Sequence, residues 1–266
     1  MIHPTAFVSP TAKIGSHCVI GPYVVIDGGV SLGSGCKVGP HSHLTGDTVI
    51  GSDNEFHAGC VIGDKPQDVK YDGAPTRLRI GDNNIFREHV TIHRSNKLSE
   101  DTVIGSNNFL MAHTHVGHNS VLGNHIIMAN GALIGGHATI ADRVFISGNC
   151  LVHQFVRIGR YALMQGGSAI TKDLPTGMIS RGFNGVCGLN AVGMRRAGVP
   201  AASRSALKRL YHQIYRSGLN IRAAVALAKE SFTDDLARET IEFIEQSKRG
   251  IVSETRRGHA AVEQEE

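Results

Sequence analysis

Aromatic residues are scarce, at 5% of a 266-residue chain. That argues against a thick core built from rings and suits a narrow aliphatic interior. There is no long apolar run, so no membrane-spanning helix is expected. The five cysteines, Cys18, Cys36, Cys60, Cys150 and Cys187, form no CxxC pair and are odd in number. With no secretory signal in view, the chain reads as reduced and cytosolic, and Cys18 and Cys36 as packed thiols rather than a bridge or a metal site. Cys18 and Cys36 lie three hexapeptides apart and should stack on successive coils. A strong charge of one sign is also missing. The formal total is only +4, so bulk charge does not imply a nucleic-acid partner.

What the chain has instead is a period of six. An apolar residue recurs at Ile2, Val8, Ile14, Ile20 and onward to Ile62, returns at Ile80, Phe86 and Ile92, and runs again from Ile104 to Ile170. This period fits neither an α-helix nor a lone amphipathic strand. It fits a coil of short parallel strands, three hexapeptides to a triangular turn of about eighteen residues. The aliphatic points inward and stacks on its equivalents. A small residue often follows it, as in Ile14-Gly15 and Leu122-Gly123, and is expected to permit the tight corner. A disordered Gly-rich chain has no phased aliphatic.

The repeats account for residues 1–190. Two segments interrupt them. Near 64–79, Asp68 stands where the phase calls for an aliphatic, so the chain leaves the prism. Near 95–103 the composition is polar, although Leu98 keeps the phase. Loops leaving a rigid scaffold commonly carry function. From 191 to 266 the texture predicts a small helical domain. Ser203 to Ser217 places Leu207, Leu210, Tyr211, Ile214 and Tyr215 on one face, with Gly218 as a stop. A short helix follows over Asn220 to Lys229. A third is capped by Asp234 or Asp235, packs through Leu236, Thr240, Ile241, Phe243 and Ile244, and ends at Gly250. The tail from Ser253 to Glu266 is polar and expected to fray. Arg196, Arg204, Lys208, Arg209, Arg216 and Arg222 suit either a solvated helical face or a dock for an acidic partner.

Histidines mark the candidate chemistry. One coil of about eighteen residues carries His118 to Gly136, and a second carries it to Gln154. His137 and His153 neighbour those positions, so this group shares one edge of the prism. The same arithmetic leaves His93 off that edge, so that a neighbouring copy in a trimer would have to bring it. Three readings compete for these imidazoles: surface groups on a repetitive scaffold, a metal site, or a general base. Zinc needs three converging imidazoles. His113 and His118 offer two, with no third in place, so no metal is expected. As a base, a neutral imidazole takes a proton from an alcohol or amine attacking an acyl carbonyl, and the Gly136 amide suits the oxyanion. There is no Gly-x-Ser-x-Gly elbow and no evident cysteine nucleophile, so direct transfer is simpler than an acyl-enzyme.

The ordered set Gln67-Asp68-Val69-Lys70-Tyr71, Thr91-Ile92-His93-Arg94, His115-Val116-Gly117-His118, Gly136-His137, Val152-His153-Gln154-Phe155 and Ile214-Tyr215-Arg216-Ser217-Gly218 closely resembles the UDP-N-acetylglucosamine O-acyltransferases of the first lipid A step. The resemblance runs from the N-terminus to about Arg257. It implies an all-β left-handed parallel β-helix followed by a C-terminal α-helical domain, assembled as a homotrimer with active sites between subunits. It implies transfer of an (R)-3-hydroxyacyl group from acyl carrier protein to the sugar 3-hydroxyl of UDP-N-acetylglucosamine, with no cofactor. On the family's pattern, His118 is the general base, Gly136 N–H the oxyanion donor and His137 an orienting or polarising group. Gln67, Asp68, Lys70, His93, His115, His153 and Gln154 line the substrate pockets, Asn190 and Arg196 fall at the nucleotide, and Gly166 falls where acyl-chain length is set.

Three features depart from the family pattern. Asn119 stands where Asp usually follows the base. Val192 replaces the Glu of the nucleotide segment, and Ala197 replaces its last Arg. The alternatives within the scaffold are N-acylation of a 3-amino sugar and a coenzyme A-dependent acetyltransferase. The related N-acyltransferase of the third lipid A step carries a uridine-binding domain ahead of its helix, and repeats that start at Ile2 leave no room for one. A structural or ice-binding prism would show a regular Thr ladder on one flat face, and none is evident.

Overall fold

The computed structural model describes residues 1–254. Among them, three sheets of 9, 8 and 11 strands form the sides of a prism. Along the repeats each strand pairs with the third strand along the chain, so Val8 lies beside Ile26 and Ile26 beside Leu44. The fold is the left-handed parallel β-helix that the resemblance implied. The first sheet runs from Phe7–Val8 to Ala169–Ile170, the second from Lys13–Ile14 to Arg157–Ile158, and the third from Val19–Ile20 through Leu163–Met164. A short antiparallel pair, Met178–Ser180 with Gly185–Leu189, extends the third sheet and closes the prism at its C-terminal end.

The phased aliphatics form the core. Ile26, Leu44, Ile62, Ile92, Val116 and Ile134 stack with no exposed surface along the inside of the first sheet. Phe56 and Phe86 take the same place in the third, with rings stacked at 4.8 Å. The thiols of Cys18 and Cys36 are buried on successive coils as expected, with Cys60 and Cys150 buried too, and only Cys187 partly open.

The small residue after each aliphatic has a different role from the one its sequence suggested. A Cβ on Gly33 would lie 2.4 Å from the Gly51 carbonyl oxygen, so glycine is needed where one coil presses on the next. The turn itself is made two residues later, in the left-handed region, and is filled mostly by Asn, Asp and His. Asn119, His137 and Phe155 all sit there, at φ 58, 59 and 64.

Register explains why the phase survives both interruptions. A regular coil is eighteen residues, as in Leu44 to Ile62. Ile62 instead pairs with Ile92, thirty residues on, and Ile92 with Val116, twenty-four on. The two insertions therefore add twelve and six residues, whole multiples of the repeat. Leu98 keeps the phase by this coincidence. It is exposed on a loop, as is Val69 on the first one. Both loops leave the corner between the first and second sheets, after Asp64 and after His93.

Helix α1 (Ala191–Arg196), which the sequence pattern did not suggest, follows the prism. Helix α2 (Ala201–Arg216) buries Leu207, Leu210, Tyr211 and Ile214, and Gly218 at φ 77 follows its end. Helix α3 (Ile221–Ser231) is capped by Asn220. Helix α4 (Asp235–Glu245) is capped by Asp234, whose carboxylate accepts from the Leu236 and Ala237 amides at 3.1 Å. It stops five residues before Gly250. An Arg160–Glu239 ion pair fastens α4 to the prism. Frayed structure was expected from Ser253 onward, but Ser253–Glu254 forms a strand beside Gly185–Val186. Glu254 accepts from Tyr211 at 2.8 Å and pairs with Arg216 at 2.6 Å. The rest of the tail lies outside the described residues.

Candidate active site

The corner between the first and second sheets gathers most of the candidate residues. His118, Gly136 and Gln154 occupy equivalent places on three successive coils, as shown by the regular pairing of Val116 with Ile134 and Ile134 with Val152. The His118 and His137 rings meet edge to face at 5.2 Å. His137 stacks flat on Phe155 at 4.6 Å. A bulky residue in the left-handed region is an outlier, and here it supplies the platform that fixes His137. A Cβ on Gly136 would lie 2.9 Å from both Cε1 and Nε2 of His118. Only glycine fits under this edge of the imidazole.

His93 joins the same corner within one chain. The six extra residues of the second loop make its coil twenty-four long, so His93 precedes His118 by one coil and one residue. Its ring meets that of His115 at 5.0 Å. The expectation that a neighbouring copy must bring it rested on a uniform coil of eighteen and is corrected here.

The tautomer of His118 follows from its neighbours. The Asn96 amide N–H, which can only donate, points at Asn119 Oδ1 at 3.0 Å. Asn119 Nδ2 reaches Ser95 Oγ at 2.9 Å and the Glu100 carboxylate, which when ionised can only accept, at 3.1 Å. These contacts fix the Asn119 amide with its oxygen toward the imidazole. His118 Nδ1, 2.8 Å from that oxygen, must therefore carry the proton. In the neutral ring the lone pair then falls on Nε2, the nitrogen beside Gly136.

The surrounding imidazoles are tuned toward neutrality. Burial holds the His93, His115 and His137 imidazoles below their ordinary range, His115 at about 4. In His93 Asp64 opposes burial while His118 adds to it, in His115 the His93 and His118 rings add to it, and in His137 the His118 ring does, with Glu100 opposing it. His93 Nδ1 is buried without a hydrogen-bond partner. Asp68, at the tip of the first loop, is held below the usual carboxylate range by the Lys70 amide and Asn96. Asn96 Nδ2 donates to it at 2.7 Å. Gln67 and Lys70 stand exposed on the rim.

Sequence reasoning missed the residues that tie the second loop to the first, Arg94, Ser95 and Asn96, and those that tie it to Asn119, among them Glu100 and Thr102. Arg94 donates to the Gly63 carbonyl at 2.9 Å and to Tyr71 at 3.3 Å. Arg249 was also missed. It lies 3.4 Å from His153 Nδ1 and donates to the Thr171 carbonyl at 2.7 Å. The polar run Ser95-Asn96-Lys97 was visible in the sequence, but nothing there said that it folds onto residue 119.

Residues 29–64 and 101–136 match a family model described as bacterial transferase hexapeptide (six repeats). Residues 173–252 match a second, described as UDP N-acetylglucosamine O-acyltransferase; Domain 2. An acyl-[acyl-carrier-protein]–UDP-N-acetylglucosamine O-acyltransferase of Janthinobacterium sp. (strain Marseille) is 43% identical, covering 95% of this chain and 99% of its own. The chain belongs to that family. The same-named enzyme of Halorhodospira halophila is 40% identical over 94% of this chain. The solved LpxA of Acinetobacter baumannii superposes with a TM-score of 0.90 at 39% identity, covering 94% of this chain and 99% of that one. The UDP-N-acetylglucosamine acyltransferase of Bacteroides fragilis gives 0.90 at 37%, covering 95% and 100%.

Other residues expected from this acyltransferase family's pattern lie apart from the corner within a single chain. Arg196 lines a cleft of about 440 Å³ against the outer face of the third sheet, with Tyr161, Phe145 and Leu163. Asn190 also lines it, but its side chain is engaged in folding. It caps α1 through the Gly193 amide at 2.9 Å and donates to the Tyr161 carbonyl at 2.9 Å. Gly166 lies on the corner between the third and first sheets. A Cβ there meets only the Gly148 carbonyl, at 3.6 Å. Between that corner and His118 runs an apolar groove on the first sheet, lined by His115, Leu133, Leu151, Ala169 and Phe183.

Proposed function

We propose that this chain moves an (R)-3-hydroxyacyl group from acyl carrier protein to the 3-hydroxyl of UDP-N-acetylglucosamine, the first step of lipid A biosynthesis. The observation that carries the mechanism is the fixed amide of Asn119, which leaves His118 Nε2 as a free base beside the Gly136 backbone. In this reading Nε2 takes the hydroxyl proton as the sugar oxygen attacks the thioester carbon. The Gly136 N–H stabilises the developing oxyanion. Collapse breaks the carbon–sulfur bond, and the protonated imidazole returns its proton to the leaving thiolate. A general base contributes about 10²–10⁴-fold, and a single oxyanion donor contributes a similar factor.

The acyl chain would follow the apolar groove of the first sheet toward Gly166. The nucleotide would reach Arg196 on a second copy, because the third-sheet cleft and the His118 corner are different parts of one prism. This favours a homotrimer with shared sites; its place in the cytosol is what the family resemblance implies. The carrier protein, an acidic partner, is assigned to the basic cleft of α2, lined by Arg204, Lys208 and His212. Arg216 also lines it but is already paired with Glu254. Among the described residues no helix is long and apolar enough to cross a membrane.

Mass spectrometry of the product tests the assignment, with UDP-N-acetylglucosamine and its 3-amino analogue offered together to a set of acyl carrier proteins. An ester on the natural sugar is expected. A preferred amide on the 3-amino sugar would replace this reading with N-acylation, and transfer only from coenzyme A would exclude the carrier.

A further inference from the structure

We propose that Glu100 is a positioning residue for the His118 base, supplying through Asn119 the negative charge that an amide lacks. The proposal rests on the general-base reading above. Residue 119 is neutral here, so it orients the imidazole without stabilising its protonated form. Its other end is not neutral. Asn119 Nδ2 donates to the Glu100 carboxylate at 3.1 Å while Oδ1 accepts from His118 at 2.8 Å. The three side chains form one polarised line from carboxylate to amide to imidazole. When Nε2 takes a proton, the amide dipole and the carboxylate behind it are both aligned to favour the charge.

One further contact, and the way the loop is anchored, place Glu100 in the site. Its Oε2 lies 3.6 Å from His137 Nδ1, so one carboxylate serves both imidazoles of the edge-to-face pair. Asn119 is also the loop's anchor. It bonds to Ser95 Oγ and to the Asn96 amide, and its own amide donates to Thr102 Oγ1 at 2.7 Å. The six-residue insertion thus folds back over residue 119 and delivers Glu100 to it. The carboxylate is about half exposed, at 47%, so its influence is screened and modest.

The charged and titratable groups around His118 are Asp68 from the first loop, Glu100 and Lys97 from the second, His93 and His115 from the first sheet, and His137 from the next corner. Removing the charge of Glu100 while leaving the others should weaken the stabilisation of the protonated base.

The test is the pH dependence of kcat/KM in Glu100→Gln, whose amide oxygen can still accept from Asn119. Expected are a fall in kcat of about two- to fivefold and a shift of the acidic limb to lower pH by a few tenths of a unit, the scale of a partly exposed charge. Combining Glu100→Gln with Asn119→Asp puts a carboxylate directly on the imidazole and should restore both. An unmoved limb, with or without a loss of kcat, overturns the proposal, as does failure of the double variant to recover while thermal unfolding shows it folded. His118→Ala, assayed alongside, separates the two ideas. If it keeps its turnover, the general-base reading fails. If it is inactive and the limb of Glu100→Gln stays fixed, only the role of Glu100 is lost.

Discussion

Lowering the pH should destabilise this protein through His115 in particular, and the size of the effect can be worked out. Burial, with His93 and His118 nearby, holds its imidazole at about 4 against an ordinary value of 6.5. Between those values the folded chain binds fewer protons at this position than the unfolded chain. Stability therefore falls as pH drops through 6.5 toward 4, and well above 6.5 the group contributes no pH dependence. At pH 5 the full shift amounts to about 2 kcal/mol relative to pH 8. Partial exposure of the ring brings this to about 1–2 kcal/mol. In a chain of this length that is roughly 3–6 °C in Tm. The perturbation is His115→Gln, because an amide can keep a hydrogen bond to Thr91, whose hydroxyl lies 2.8 Å from His115 Nδ1. Thermal unfolding is followed at fixed protein concentration at pH 8 and pH 5. The drop in Tm between the two should be smaller in the variant by that amount. Equal drops in both proteins would refute the reasoning.

Three further outcomes follow from the geometry. Arg204→Glu with Lys208→Glu should raise the KM for acyl carrier protein severalfold at low salt, with the difference shrinking as salt screens it; an unchanged KM moves the dock elsewhere. Gly166→Met should shift donor preference to shorter acyl chains, at about 0.8 kcal/mol for each methylene denied burial, and wild type should favour fourteen carbons over ten. Gln165 accepts from Arg181 at 2.7 Å; a competition assay in which wild type prefers ten carbons would remove the open-groove reading. Mixing His118→Ala with Arg196→Ala under subunit exchange should restore part of the activity if sites span two copies; no recovery from two folded, inactive variants argues for sites complete in one chain.

The prism was legible because one aliphatic in six must reach a narrow core, and nothing else satisfies that pattern over so long a run. The coils carrying His118, Gly136 and Gln154 were legible for the same reason, being uninterrupted. His93 was not, because its position depends on the length of the second loop, and a six-residue insertion leaves the phase unchanged. The second loop's contacts with Asn119 and Asp68 were hidden too. They are hydrogen bonds of polar side chains, with one another and with backbone amides, brought together by the coil, and no periodicity announces them. Helix α1 was missed because its cap is Asn190 and it spans only Ala191–Arg196, too short for an apolar face to show. The extent of the frayed tail was overestimated because Glu254 looks like any solvated carboxylate until Tyr211 and Arg216 are folded around it.

Single-turnover acyl transfer by His118→Ala, with binding of UDP-N-acetylglucosamine measured separately, tests the mechanism most directly. The account predicts a fall of about 10²–10⁴-fold in the transfer rate with acceptor affinity little changed, and a smaller loss in His137→Ala, which orients but does not accept the proton. Transfer near the wild-type rate in His118→Ala would contradict it.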